Sequence, residues 1–119
     1  MFTGIEHSHL WVKDLDRAIA YYRDDLGLDV VHQSKAQAYL AAGEGCHFIL
    51  KQAPPDLAVE TQHLAFKVPS VDAVYQALEA RGVPLERPPG IRPDTHYRPR
   101  QKHLLWRDPD GILLEVSEP

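Results

Sequence analysis

The feature that most constrains the fold of this chain is that it repeats itself. Shifted by 56 positions, His7 falls on His63, Leu10 on Phe66, Val12 on Val68, Leu15 on Val71, Asp16 on Asp72, Ile19 on Tyr75 and Tyr22 on Leu78. Polar, apolar and helix-forming roles therefore coincide, which is the signature of one supersecondary unit used twice. Near the end of each half the correspondence holds at a shift of 66, with Gly45 matching Gly111 and Phe48 matching Leu114. The second half thus carries about ten additional residues, within the stretch ERPPGIRPDTHYRPRQ at 86–101. A chain of 119 residues is large enough for one core and too short for two independent ones. The halves are expected as two modules, about 1–53 and 60–119, of a single domain.

Each half reads as β-α-β-β-β. Residues 5–12 alternate as a strand does, Asp14 is placed to cap a helix, and Leu15, Ala18, Ile19, Tyr22 and Leu26 form its apolar face, ending at Gly27. Strands follow at 29–34, 37–42 and 46–52, and Pro54 and Pro55 then punctuate the chain. The second half repeats this with a strand at 62–68, a cap at Ser70, a helical face of Val71, Val74, Tyr75 and Leu78, and Gly82 as terminator. A short strand near 83–86 and longer ones at 102–107 and 112–117, joined by the turn DPDG, complete it. The fold class is α+β, two tandem βαβββ modules with the helices outside a mixed sheet.

Composition excludes several function classes. Apolar residues at 44%, charged residues at 25% and a net charge of −4 describe an ordinary globular protein and argue against a nucleic-acid partner. One cysteine, Cys46, permits no internal disulfide, and no apolar run is long enough for a membrane span, so a cytoplasmic location is expected. Cys46 is expected to face the helix layer as an inert buried thiol. Seven histidines are many for this length and direct attention to metal or acid–base chemistry.

Alternation with period two sorts the candidates by face. Leu10 and Val12, repeated as Phe66 and Val68, belong under a helix, which leaves His7, His9 and Trp11, with His63, Ala65 and Lys67, on the opposite face. Only His7 has a histidine at its repeat position, since His9 maps onto Ala65. In the last strand Glu115 lies among apolar residues, where a carboxylate must be paired, protonated or bound to a cation. Two imidazoles and a carboxylate suit a divalent metal with open positions. Hydrogen-bonded strand histidines and a solvated Glu115 would satisfy the same pattern. His32, His96 and His103 acquire no role from this reasoning.

The stretches IEHSHLWVKDLDRAIAYYRDDLGLDVV, HLAFKVPSVDAVYQALEARGV and RDPDGILLEV together resemble the vicinal oxygen chelate superfamily, which contains glyoxalases, bleomycin-resistance proteins, fosfomycin-modifying thiol transferases and extradiol dioxygenases. The resemblance spans the whole chain. It implies modules whose sheets curl into a cup around one divalent metal (Fe, Mn, Zn or Ni) held by His7, His63 and Glu115. A small oxygenated substrate and a homodimeric assembly are implied with it. Glyoxalases of this kind take a fourth ligand from the first module, where this chain has Ile49, so a glyoxalase isomerase is disfavoured. His47, two residues earlier on the same face, is the alternative donor. A three-ligand centre suits lyase or dioxygenase chemistry. A thiol transferase is opposed by His9, which stands where those enzymes have a small hydroxyl residue, and by the absence of a C-terminal extension after Pro119. A non-catalytic sequestering protein of the bleomycin-resistance type remains the other reading.

His9 is the expected acid–base residue because it shares the face of His7. Trp11, His47, Ile49 and Lys67 are candidates to line the substrate site, with Lys51 on the same face. The additional segment of the second half holds Arg87, Arg92, Arg98, Arg100 and Lys102 against Glu86 and Asp94, a local reversal of the chain's acidic balance. It is expected as a solvated loop, or as a lid in which Arg92, Arg98 or Arg100 holds an anionic substrate while Tyr97 or His96 closes over it.

Overall fold

The structure, a computed structural model, describes residues 1–92 and 97–119. Asp94 and His96 of the basic segment lie outside the described residues. The chain forms two compact units, Met1–Glu60 and Thr61–Pro119.

The first unit runs β1 (His7–Val12), α1 (Leu15–Ala20), a π-helical turn over Tyr21–Asp25, β2 (Asp29–Gln33), β3 (Gln37–Ala41) and β4 (His47–Gln52). Its sheet has the order β1-β4-β3-β2, with β1 parallel to β4 and the other pairs antiparallel. The second unit runs β5 (His63–Lys67), α2 (Val71–Ala80), β6 (Leu85–Ile91), β7 (Lys102–Arg107) and β8 (Leu113–Ser117), in the order β5-β8-β7-β6. The expected α+β architecture of two βαβββ modules is what the chain adopts, with two separate four-stranded mixed sheets.

Strand register confirms the repeat at atomic detail. In the first unit His7 pairs with His47 and His9 with Ile49; in the second His63 pairs with Leu113 and Ala65 with Glu115. The shift is 56 on the first strand and 66 on the last, as the sequence correspondence requires. Both β2–β3 and β6–β7 carry a bulge at the same point, between Val30 and His32 and between Leu85 and Arg87.

Capping explains why the helices start where they do. Asp14 Oδ1 accepts from the Arg17 N–H at 3.0 Å, and Ser70 Oγ accepts from the Ala73 N–H at 3.1 Å. Helix α2 ends in a Schellman motif, with Val83 N–H on Leu78 O and Gly82 N–H on Glu79 O, and Gly82 takes the required left-handed φ of 70°. The first helix instead relaxes into a π turn before Gly27, which adds one residue. That turn is why the shift between modules falls from 56 at the N-caps, Asp14 and Ser70, to 55 at the terminating glycines.

Each helix covers the face its alternation predicts. Leu10, Val12, Leu40 and Leu50 are buried beneath α1, and Leu104, Trp106, Leu114 and Val116 occupy the matching face in the second unit. A fully buried side chain of this size contributes about 1.5–3 kcal/mol.

Two expectations need correction. Cys46 is exposed rather than buried, because β4 begins only at His47 and Cys46 closes the preceding turn, its N–H on Gly43 O. Part of the basic segment is strand and not loop: β6 extends to Ile91, and the hairpin continues to an Arg92 N–H bond on Gln101 O at 2.9 Å.

The DPDG turn is organised by one carboxylate. Oδ1 of buried Asp108 accepts from the N–H groups of Asp110 and Ile112, both at 2.9 Å, while Gly111 adopts a φ of 83°. Asp108→Ala would leave both buried donors unsatisfied and should lower stability by about 1–3 kcal/mol. Urea unfolding with an unchanged m-value checks this, and an unaltered midpoint would refute it.

Candidate functional site

The helix-free face of the second sheet gathers the polar groups. Glu115 on β8 is directly opposite Ala65 on β5 and Leu105 on β7. Diagonal neighbours two residues along those strands are His63 and His103, and diagonal positions are within reach of long side chains. The small side chain of Ala65 leaves room for the carboxylate between them.

The Glu115 side chain is almost wholly buried and fully engaged. His63 Nε2 lies 3.0 Å from Oε1, His103 Nδ1 lies 2.9 Å from Oε2, and Arg92 Nη2 lies 2.5 Å from Oε2. Arg92 Nη2 also donates to Ser117 Oγ at 2.6 Å. A carboxylate only accepts, so the facing nitrogens of both imidazoles carry their protons in this arrangement. Burial alone would push the Glu115 carboxyl up, but the His103 hydrogen bond, the Arg92 charge and the His63 hydrogen bond outweigh it and hold it below the usual glutamate range.

The equivalent place in the first unit is built differently. Ile49, 3% exposed, takes the register position of Glu115, His7 that of His63, and Gln37 that of His103. His7 contacts the Glu6 carboxylate and packs at 6.0 Å from the Tyr39 ring. His47 lines a shallow 280 Å³ cavity with Glu6, Val31, His32 and Tyr39. His9 meets Trp11 edge to face at 5.3 Å, and Lys51 Nζ lies 5.7 Å over the Trp11 ring.

The other expected site residues are exposed. Lys67 lies on the helix-free side of β5, and Tyr97, Arg98 and Arg100 are exposed beyond the β6–β7 hairpin, with Arg98 5.9 Å from the Tyr97 ring. Sequence reasoning overlooked His103, although the alternation of KHLLWR sets His103 and Leu105 opposite the buried Leu104 and Trp106, on the Glu115 face. Arg92 was expected among loop arginines facing a substrate; its guanidinium is instead turned onto Glu115.

Among the described residues no three His, Cys, Asp or Glu side chains form a group able to hold a metal ion. Within the second unit His63 Nε2 and Glu115 Oε1 form a donor pair, while His103 and Arg92 reach the other oxygen. Two donors each about 2.0–2.2 Å from one cation, and at right angles, stand about 3 Å apart, so the pair fits a metal that a third donor would complete. Arg92 and His103 would then orient the carboxylate, as partners of ligating carboxylates do.

Comparison with known proteins places the fold within a family. The chain is 30% identical to the uncharacterized protein YraH of Bacillus subtilis, covering 90% of this chain and 91% of that protein. It is 28% identical to the metallothiol transferase FosB of Shouchella clausii, covering 98% of this chain and 80% of that protein. Among solved structures, a lactoylglutathione lyase from Agrobacterium tumefaciens superposes with a TM-score of 0.80 at 26% identity, over 98% of this chain and 93% of that one. The family model of the Glyoxalase/Bleomycin resistance protein/Dioxygenase superfamily matches residues 4–116, and the chain belongs to that superfamily.

Proposed function

We propose that the chain is a metal-dependent enzyme acting on a small oxygenated anion, with lyase or dioxygenase chemistry at one divalent cation of iron, manganese, zinc or nickel. His63 and Glu115 supply two donors, and the internal repeat, rather than any distance, assigns His7 as the third. The observation that carries the reading is the 3.0 Å separation of His63 Nε2 and Glu115 Oε1 at a buried carboxylate whose other oxygen is already held. To serve as a donor His63 carries its proton on Nδ1, leaving Nε2 free. A bound cation would stabilise developing negative charge on a substrate oxygen. His9 is the residue to move a proton, and Trp11, His47, Ile49 and Lys67 would shape the substrate site, with Tyr97, Arg98 and Arg100 meeting the anionic end.

A second reading, a non-catalytic binding protein of the bleomycin-resistance type, is favoured by the Arg92–Glu115 pair, because a guanidinium 2.5 Å from Oε2 already offsets the carboxylate charge. Thiol transfer, the activity in the name of the FosB relative, belongs in the same assays. Metal titration separates the enzyme from the binder. Protein freed of metal should take up one equivalent of Mn²⁺, Zn²⁺ or Ni²⁺ by calorimetry, and His63→Ala and Glu115→Gln should each weaken uptake at least tenfold. Absence of uptake by the parent would leave the binding reading.

Acid stability offers an independent check on Glu115. Its lowered folded value means that its contribution is complete above the ordinary glutamate value, about 4.3, and is lost as pH falls through the folded value. Urea midpoints of the metal-free protein should therefore fall more steeply below pH 4.3 than those of Glu115→Gln. Parallel declines would contradict the lowered value.

A homodimer completes the proposal. Strands β1 and β5 are sheet edges, which proteins commonly cover by pairing. Light scattering at micromolar concentration should give twice the 13.5 kDa chain mass; a monomeric mass would exclude it.

A further inference from the structure

Strand pairing brings His63 to Glu115, but a different part of the chain holds Oε2. Arg92 stands one residue beyond β6, at the base of the segment that the second module has and the first lacks. Its backbone closes that base: its N–H donates to Gln101 O at 2.9 Å, and its carbonyl accepts from the Arg100 N–H at 3.1 Å. Its side chain turns inward onto Glu115 Oε2 and Ser117 Oγ, only 10% exposed. His103, on β7, reaches the same oxygen. One residue therefore joins the base of the added segment to the buried carboxylate by both backbone and side chain.

We propose that Arg92 is a positioning residue that fastens the base of the added segment to Glu115 and, with His103, confines that carboxylate to binding through Oε1 alone. The second clause rests on the metal reading above; the first does not. With Oε2 taken by a guanidinium and an imidazole, Glu115 cannot turn both oxygens to one cation. A carboxylate limited to one oxygen disfavours Ca²⁺, which accepts bidentate carboxylates and high coordination numbers, relative to ions with compact coordination. The added segment thereby acts on ion choice through a residue that does not touch the ion. Nothing in the first module corresponds to Arg92, and its Gln37 stands in place of His103, so this control belongs to the second module.

Amide hydrogen exchange by NMR on the metal-free, full-length chain tests the fastening. With rates corrected for sequence, the Arg100 amide should exchange at least tenfold faster in Arg92→Ala and in Glu115→Gln than in the parent. Arg92→Lys should restore much of the protection, and the β7–β8 ladder should keep parent rates in all variants. An Arg100 amide that exchanges at the parent rate in folded Arg92→Ala and Glu115→Gln overturns the proposal. Cobalt and calcium test the confinement. Arg92→Ala should weaken the visible Co²⁺ absorption, as a sixth ligand oxygen does, and should shift the Mn²⁺/Ca²⁺ affinity ratio toward Ca²⁺ at least threefold. An unchanged spectrum and ratio would overturn the confinement. If the parent takes up no metal, the metal reading and the confinement fall together, and the exchange result decides the fastening alone.

Discussion

Parallel pairing of the first strand of each module with its last is the constraint on which the rest depends. It brings together strands separated by a helix and a hairpin, and it sets which residues stand opposite one another. Once Ala65 is opposite Glu115, period two delivers His63 to one diagonal, and antiparallel pairing with β7 delivers His103 to the other. The helix covers the remaining face, so apolar burial and polar convergence are two results of one register. A slip of one residue in β8 would turn Glu115 into the apolar layer and Leu114 or Val116 out of it.

The modules share this frame and differ in what they hang on it. Where the second has a carboxylate held by His63, His103 and Arg92, the first has Ile49 between His9 and Tyr39. A buried charge costs several kcal/mol unless paired, and the second module meets that cost with three partners, from β5, from β7 and from just beyond β6. The first avoids it with a hydrocarbon. Its helix-free face is instead rich in rings, with His7 near Tyr39 and His9 and Lys51 against Trp11.

Most of the fold was legible because repetition and alternation are properties of the chain itself. Asp14, Ser70, Gly27 and Gly82 marked the helices through local chemistry, and the repeat located the strands. Boundaries were less secure: Cys46 fell on the exposed side because a strand began one residue late, and β6 ran into a proline-rich stretch that reads as loop. At the candidate site, Glu115 stood out as a lone carboxylate in an apolar strand, and His63 through its echo of His7. His103 has only Gln37 as its counterpart, so a search for repeated histidines passes over it. Arg92 was invisible as a partner of Glu115 because the two are brought together by an extension of the β6–β7 hairpin that only the second module has.

The π turn at Tyr21–Asp25 shows where such a duplicated chain tolerates a change of length. One surplus residue is taken up within a single widened turn, and both the buried Tyr22 and the strands that follow keep the alignment of their counterparts. The same residue placed in β4 or β8 would have exchanged inside for outside along the whole strand. Helices and hairpin tips are thus the expandable joints of this architecture and the paired strands its rigid rule. Divergence in length between the two copies has accordingly gathered in a helix turn and in the β6–β7 hairpin, while the parallel ladders keep matching registers.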